Sequence, residues 1–352
     1  MKIKILGRKE DGKKPKIDIP DNFLGEPVQG AYEAFEKAHG REKDKIGQKE
    51  SSKTLIGDSD LAKKFGVENG IREPVLTGQH EALLIGAGNK IYAWDCKADQ
   101  LYHIAERGYN LVYGFAQINE ELFDVGGRGS MRGHIGGVNA GHNKYGTIFR
   151  TLNDEKILES DKPINALIAF KRELFHAAGN KVLDTLDDRV ISECSKEVFT
   201  LIAYKDKLLA GGNNRLSIMS YSANQGIIFD PINDPQATPL IKVGSTVYSL
   251  TEVKDNLYCS SGMSLYKVNL FPLKSEKVLL LPRGEEPIFS LAILNDELYD
   301  GRGSTLGGQV YMTDTCGAKN KKPLLKFDLP VYSLFSLEKP MWDKVRDKAR
   351  KA

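Results

Sequence analysis

Apolar and polar positions along this chain fall into one short pattern that recurs six times: a β-branched residue, usually an aromatic, a small residue, then Leu or Phe. It reads VYGF from Val112, INAL from Ile164, VFTL from Val198, VYSL from Val247, IFSL from Ile288 and VYSL again from Val331. Ten residues after the start of each of the first five copies stands a Leu: Leu122, Leu174, Leu208, Leu257 and Leu298. A third apolar segment comes eight residues after that Leu at Val182, Leu216 and Leu265, and after gaps of 26 and 12 at Ile148 and Val310. A fourth closes each unit near Ile157, Val190, Ile241, Leu279 and Leu325. Short apolar runs bounded by turn residues predict strands.

Four such strands per roughly 40–45 residues is the period of a β-propeller blade. Upstream of Val112 the chain supplies a second strand at Leu83, a third at Ile91 and a fourth near Tyr102, but no first. The segment VYSLFSL, Val331 to Leu337, provides it from the far end of the sequence. The expected fold is therefore all-β: a six-bladed propeller over residues 79–337, its first blade completed by residues 331–337. Closing the ring removes two strand edges that would otherwise template aggregation. A chain ending just after Leu337 is expected to keep it. Anchors that are apolar on both faces suit inner strands wedged between blades. The small third residues, Gly114, Ala166, Thr200, Ser249, Ser290 and Ser333, suit the crowding near the axis.

Over residues 80–337 the chain resembles the broad WD-repeat-like class of β-propellers, in its strand order and in the segment NKIYAWD, Asn89 to Asp95, which is similar to the third strand of such repeats. The Trp-Asp pair occurs in this blade and not in the other five, so no catalytic residue carries over from the resemblance.

Outside the ring, residues 1–78 read as an arm with short helices at Gly30–Gly40 and Ser59–Gly66, the second capped by Ser59 or Asp60. Residues 338–352 read as a basic terminal helix in which Trp342 and Val345 pack on the ring. The formal charge is +3, and seven of the first sixteen residues are basic against two acids, which hints at polyanion contact. Four widely spaced cysteines, with no CxxC pair, point to reduced thiols. With no apolar run long enough to span a bilayer and no leader-like apolar segment, the expectation is a cytoplasmic protein that does not enter membranes.

The candidate chemistry sits in the two stretched connections. Residues 126–146 and 301–309 both join a second strand to a third, and both contain GRGS after an Asp, Asp124 or Asp300. Glycine-rich backbone with hydroxyls and guanidinium forks suits an anion. The binding candidates are Arg128, Ser130, Arg132, His134, His142, Lys144, Arg302 and Ser304. His134 and His142 lack a carboxylate or cysteine nearby, so no metal site is assigned. Asp124, His176, Cys259 and Asp300 share one repeat position on second strands, where buried hydrogen bonding is the expected role. No GxSxG stretch or grouped Ser, His and acid set marks a nucleophile, and neither a catalytic residue nor a cofactor is assigned. The reading is a non-enzymatic scaffold for a protein or ribonucleoprotein partner, met through the arm and the two loops, with nucleic acid as a candidate. The alternative is a propeller enzyme of hydrolase or lyase type, its site at the top of the channel.

Overall fold

The computed structural model describes residues 60–72, 80–127, 146–195, 197–215, 224–270, 272–281, 286–304, 306–313 and 322–351. They form six four-stranded antiparallel sheets, each a run of sequence neighbours except the first. Blade 1 takes its inner strand from Val331–Glu338 and continues with His80–Ala87, Lys90–Asp95 and Gln100–Glu106. Blade 2 is Leu111–Ile118, Glu121–Gly127, Gly146–Arg150 and Glu155–Ser160. Blade 3 is Ile164–Phe170, Glu173–Ala178, Lys181–Asp184 and Arg189–Glu193. Blade 4 is Val198–Tyr204, Lys207–Arg215, Asn224–Phe229 and Ile241–Val243. Blade 5 is Val247–Val253, Asn256–Ser261, Ser264–Leu270 and Leu273–Leu280. Blade 6 is Ile288–Leu294, Glu297–Ser304, Gly307–Thr313 and Leu325–Phe327. All six anchors are inner strands, and the last strand of the chain pairs with His80–Ala87 to close the ring.

One strand falls elsewhere than the repeat spacing puts it. The third strand of blade 4 is not at Leu216, which lies outside the described residues, because the second strand runs on to Arg215. Its residue equivalent to Val182 and Leu265 is Ile228, which pairs with Gly211 as those pair with Ala177 and Ser260. The gap from the repeat Leu is then 228 − 208 = 20 residues, and the six blades alternate. Blades 1, 3 and 5 have the short gap of eight; blades 2, 4 and 6 have 26, 20 and 12.

The alternation has a packing counterpart. In the short blades the hairpin turns at Gly88, Gly179 and Gly262, all at positive φ (60°, 58° and 59°), which glycine tolerates without strain. Their carbonyls accept hydrogen bonds of 2.8–2.9 Å from Val112, Val198 and Ile288, the first anchor residue of the next blade. In the long blades the third strand instead runs hard against the linker into the next blade at Gly146, Gly226 and Gly308. A Cβ there would lie 2.0, 1.8 and 2.3 Å from the carbonyl oxygens of Lys162, Ser245 and Leu329.

Two helices complete the molecule. Helix α1, Asp60–Phe65, buries Ala62 and Phe65 with Val67 and Ile71 against blades 2 and 3, the Phe65 ring 5.2 Å from Phe123. The expected boundary at residue 79 thus leaves a packed stretch on the arm side; residues 1–59, including the expected helix at Gly30–Gly40, lie outside the described residues. Helix α2, Lys339–Lys351, buries Met341, Trp342 and Val345 completely. The expectation that a chain ending at Leu337 is intact must give way to this, because those side chains fill the core shared by blades 1 and 2.

Candidate functional site: the loop face and its aromatic collar

In every blade the register between the inner and second strands slips at the second anchor residue. Such a bulge leaves one residue unpaired and re-aims its side chain. The residues concerned are Tyr332, Tyr113, Asn165, Phe199, Tyr248 and Phe289, from blades 1 to 6 in turn. The five rings touch across blade boundaries, which they do by meeting around the axis. Centroids are 5.7 Å apart for Tyr113–Tyr332, 5.5 Å for Phe289–Tyr332, 5.3 Å for Tyr248–Phe289 and 5.4 Å for Phe199–Tyr248. Asn165 takes the sixth place; its Nδ2 donates to the Val198 carbonyl at 2.6 Å. The collar lies at the face from which the second strands leave towards the third, since Val112 and Ile288 pair with Gly126 and Arg302 near the ends of those strands.

Below the collar a cavity of about 760 Å³ runs along the inner strands. Its wall includes Phe115, Leu167, Leu201, Leu250, Leu291 and Leu334, the fourth anchor residues. Arg72, His80, Glu252 and Glu338 stand at its far mouth. Burial lowers the His80 pKa while Glu338 opposes the change. Burial, then Asp255, raises that of Glu252.

The shared second-strand position is buried throughout. Asp124 receives two hydrogen bonds of 2.7 Å from Arg107, whose Nη1 also reaches Asp154 at 2.6 Å and whose guanidinium lies 4.8 Å from the Phe149 ring. Burial works against the Arg107 charge, yet Asp124 and Asp154 outweigh it and hold its pKa above the ordinary value. Asp300 receives Nε and Nη2 of Arg302 and the Thr313 hydroxyl, with Tyr311 3.9 Å from the guanidinium. His176 bonds Thr185 at 3.1 Å, and burial lowers its pKa to about 4. Burial alone raises the Cys259 thiol. These groups are structural, as the repeat position suggested.

The candidate binding residues divide. Arg128, Ser130, Arg132, His134, His142 and Lys144 lie outside the described residues. Arg302 is 6% exposed and turned onto Asp300, so it does not stand on a solvent rim. The two GRGS copies are also out of step. Asp124 and Asp300 are equivalent, opposite Phe115 and Leu291, so Arg302 occupies the place of Gly126. Ser304 donates to Glu286 at 2.5 Å and accepts from the Leu306 amide at 3.1 Å. A third long connection, 216–223 in blade 4, was hidden by the apolar Leu216 at the expected offset. Cys96 and Cys259 are free thiols, and the Cys194 thiol donates to the Asn213 carbonyl at 3.6 Å. Among the described residues no three His, Cys, Asp or Glu gather as metal ligands, and no helix is long and apolar enough to cross a membrane.

No family model matches the chain, and no curated protein matches it. Among solved structures it is similar to a chain of a nidogen/laminin complex, at 11% identity and a TM-score of 0.51, over 72% of this chain and 97% of that one. It also matches a chain of a mitotic checkpoint complex at 14% identity and a TM-score of 0.43, over 74% and 90%. At such identity the likeness concerns the fold alone: the chain is a six-bladed β-propeller, closed by its own last strand.

Proposed function

We propose that this protein is a non-enzymatic binding platform whose partner, a protein or ribonucleoprotein, meets the face that carries the connections from second to third strands. The observation that carries the reading is the alternation of hairpin length, with blades 1, 3 and 5 turning back at once and blades 2, 4 and 6 sending longer chain out between them. Relief of this kind suits shape-specific recognition. Leu280, Leu306 and Leu329 are exposed on the same face, Leu306 at 93%. Exposed large apolar side chains favour a protein surface over a bare phosphate backbone. The connection 128–145 adds Arg128, Arg132 and Lys144, which would serve an acidic or RNA-bearing surface. A catalytic site at the top of the channel is disfavoured because the residues that ring that place are five aromatics and one amide.

The test uses the immobilised full chain and cell extract, with and without ribonuclease. In one variant an Asn-Gly turn replaces residues 128–145; a second carries Arg128→Ala, Arg132→Ala and Lys144→Ala. Both are expected to release the partner that wild type retains, while Lys171→Ala on the opposite face does not. Ribonuclease sensitivity, with a salt slope that falls by about one unit per lost phosphate contact, would identify a ribonucleoprotein. Equal retention by wild type and both loop variants would overturn the reading.

A further inference from the structure

The channel wall is uniform at one level and broken at the next. Side chains two residues apart on a strand share a side, so the sixth residue of each anchor strand follows the fourth along the cavity. At the fourth place all six are apolar: Phe115, Leu167, Leu201, Leu250, Leu291 and Leu334. At the sixth, nearer the far mouth, stand Gln117, Ala169, Ala203, Glu252, Ile293 and Ser336. Ala203 is exposed and the other five are half-buried, so this level of the cavity is open. Gln117 donates to the Asn119 carbonyl at 3.4 Å, and Ser336 to that of Ile293. Glu252 makes no side-chain hydrogen bond or ion pair among the described residues. Burial, then Asp255, holds its pKa above the ordinary value against the opposing pull of Lys205. No other blade places a charge here, so the fold does not demand a carboxylate at this position.

A volume of about 760 Å³ is that of a small-molecule site, and such sites combine an apolar wall with a few polar groups that fix the ligand. Here the wall is the ring of fourth residues, and the polar group is one half-buried carboxylate. The mouth adds Glu120 and Glu338 against Arg72, while burial holds His80 towards its neutral form, so its field favours a cation over an anion. A charge taken out of water without a counter-ion is costly, and a ligand ammonium supplies one. We propose that the channel binds a small amphipathic amine, which enters from the far mouth with its apolar body against the fourth anchor residues and its ammonium on the Glu252 carboxylate. A neutral ligand of the same shape leaves Glu252 uncompensated, and an anionic one is repelled by it. The site opens on the face opposite the long connections, so it stands independently of the binding-platform reading.

Octylamine, 1-octanol and octanoate carry one apolar chain with a cationic, a neutral and an anionic head. Each is titrated against the isolated full chain and followed by saturation-transfer NMR, so the proposal can fail while extract capture succeeds. Wild type is expected to bind octylamine about tenfold more tightly than octanol, and octanoate least of the three. Glu252→Gln keeps the side-chain volume and should bring octylamine to the affinity of octanol while the melting temperature holds or rises. Should that variant fold poorly, Glu252→Ala installs the residue that blades 3 and 4 carry at this place and should act in the same way. Ala203→Trp, at an exposed position, fills the mouth and should weaken octylamine and octanol alike, by about tenfold. Equal binding of amine and alcohol by wild type, an amine preference that survives both Glu252 variants, affinities unmoved by Ala203→Trp, or no octylamine binding at millimolar concentration would overturn the proposal.

Discussion

A chain that stops at Leu337 keeps all but the last residue of the closing strand and loses helix α2. Met341, Trp342 and Val345 are 2%, 1% and 0% exposed and pack with Ala82, Leu84, Ile91 and Val112. Burying one such side chain stabilises by about 1.5–3 kcal/mol, so their joint loss is about 4.5–9 kcal/mol. Lys348 leaves as well, and with it hydrogen bonds of 2.8 Å to the Thr151 carbonyl and 2.9 Å to Asp154. Against a typical total of about 5–15 kcal/mol, the shortened protein is marginal. Urea unfolding followed by circular dichroism measures the loss directly. Trp342→Ala in the full chain should show about 3–5 kcal/mol of it, and Trp342→Phe less. A truncated chain unfolding within about 0.5 kcal/mol of the full one, the range of ordinary surface changes, would refute the reasoning and make α2 a loosely attached tail.

Stability should fall with acidification between pH 6.5 and 4. The folded state holds His176 at about 4, below its ordinary 6.5, so the unfolded chain binds the extra proton first. The stabilising contribution is complete above pH 6.5, and its loss amounts to about 3 kcal/mol by pH 4. His80 shifts in the same direction. Urea midpoints measured against pH should flatten over that window in His176→Gln; parallel curves would exclude His176 as the source. A second expectation concerns Asp300 and Arg302. Asp300→Leu or Arg302→Met alone should cost about 3–5 kcal/mol by stranding a buried charge, whereas the double variant should cost far less. A double-mutant cycle with additive losses would show that the two are not coupled.

The inner strands were legible because burial on both faces leaves an apolar signature, and the Leu ten residues on was legible because tight hairpins fix that spacing. What failed was the point where strand length varies. In blade 4 an apolar residue happened to stand at the regular offset, and periodicity alone does not tell a continuing strand from a new one. Trp342 and Val345 were expected on the ring and are there, but the depth of their burial depends on a seam between two blades that no local pattern describes. The collar was half visible. Aromatics recur at the second anchor place with Asn165 as the exception, yet only the repeated bulge turns that place to the axis. The GRGS match misled because identical letters fell two residues out of step with the register.

That mismatch bears on how the ring is fastened. Asp124 and Asp300 occupy the same place in blades 2 and 6, and each holds a guanidinium against a third-strand aromatic, Phe149 or Tyr311, which are themselves equivalent. The two arginines come from different places: Arg107 precedes blade 2, whereas Arg302 stands two residues beyond its own aspartate. The same arrangement is thus reached by two routes, which argues that its geometry matters more than either arginine's position. Blades 2 and 6 flank blade 1, the blade assembled from both ends of the chain. Buried ion pairs add little net stability, because desolvation offsets their attraction, but wrong pairings strand a charge at high cost. In blade 2 the cluster extends through Asp154 to Lys348 of α2, where burial opposes the Asp154 charge but Arg107 and Lys348 prevail and lower its pKa. The last turn of the chain is therefore tied electrostatically to the blade next to the one its final strand completes.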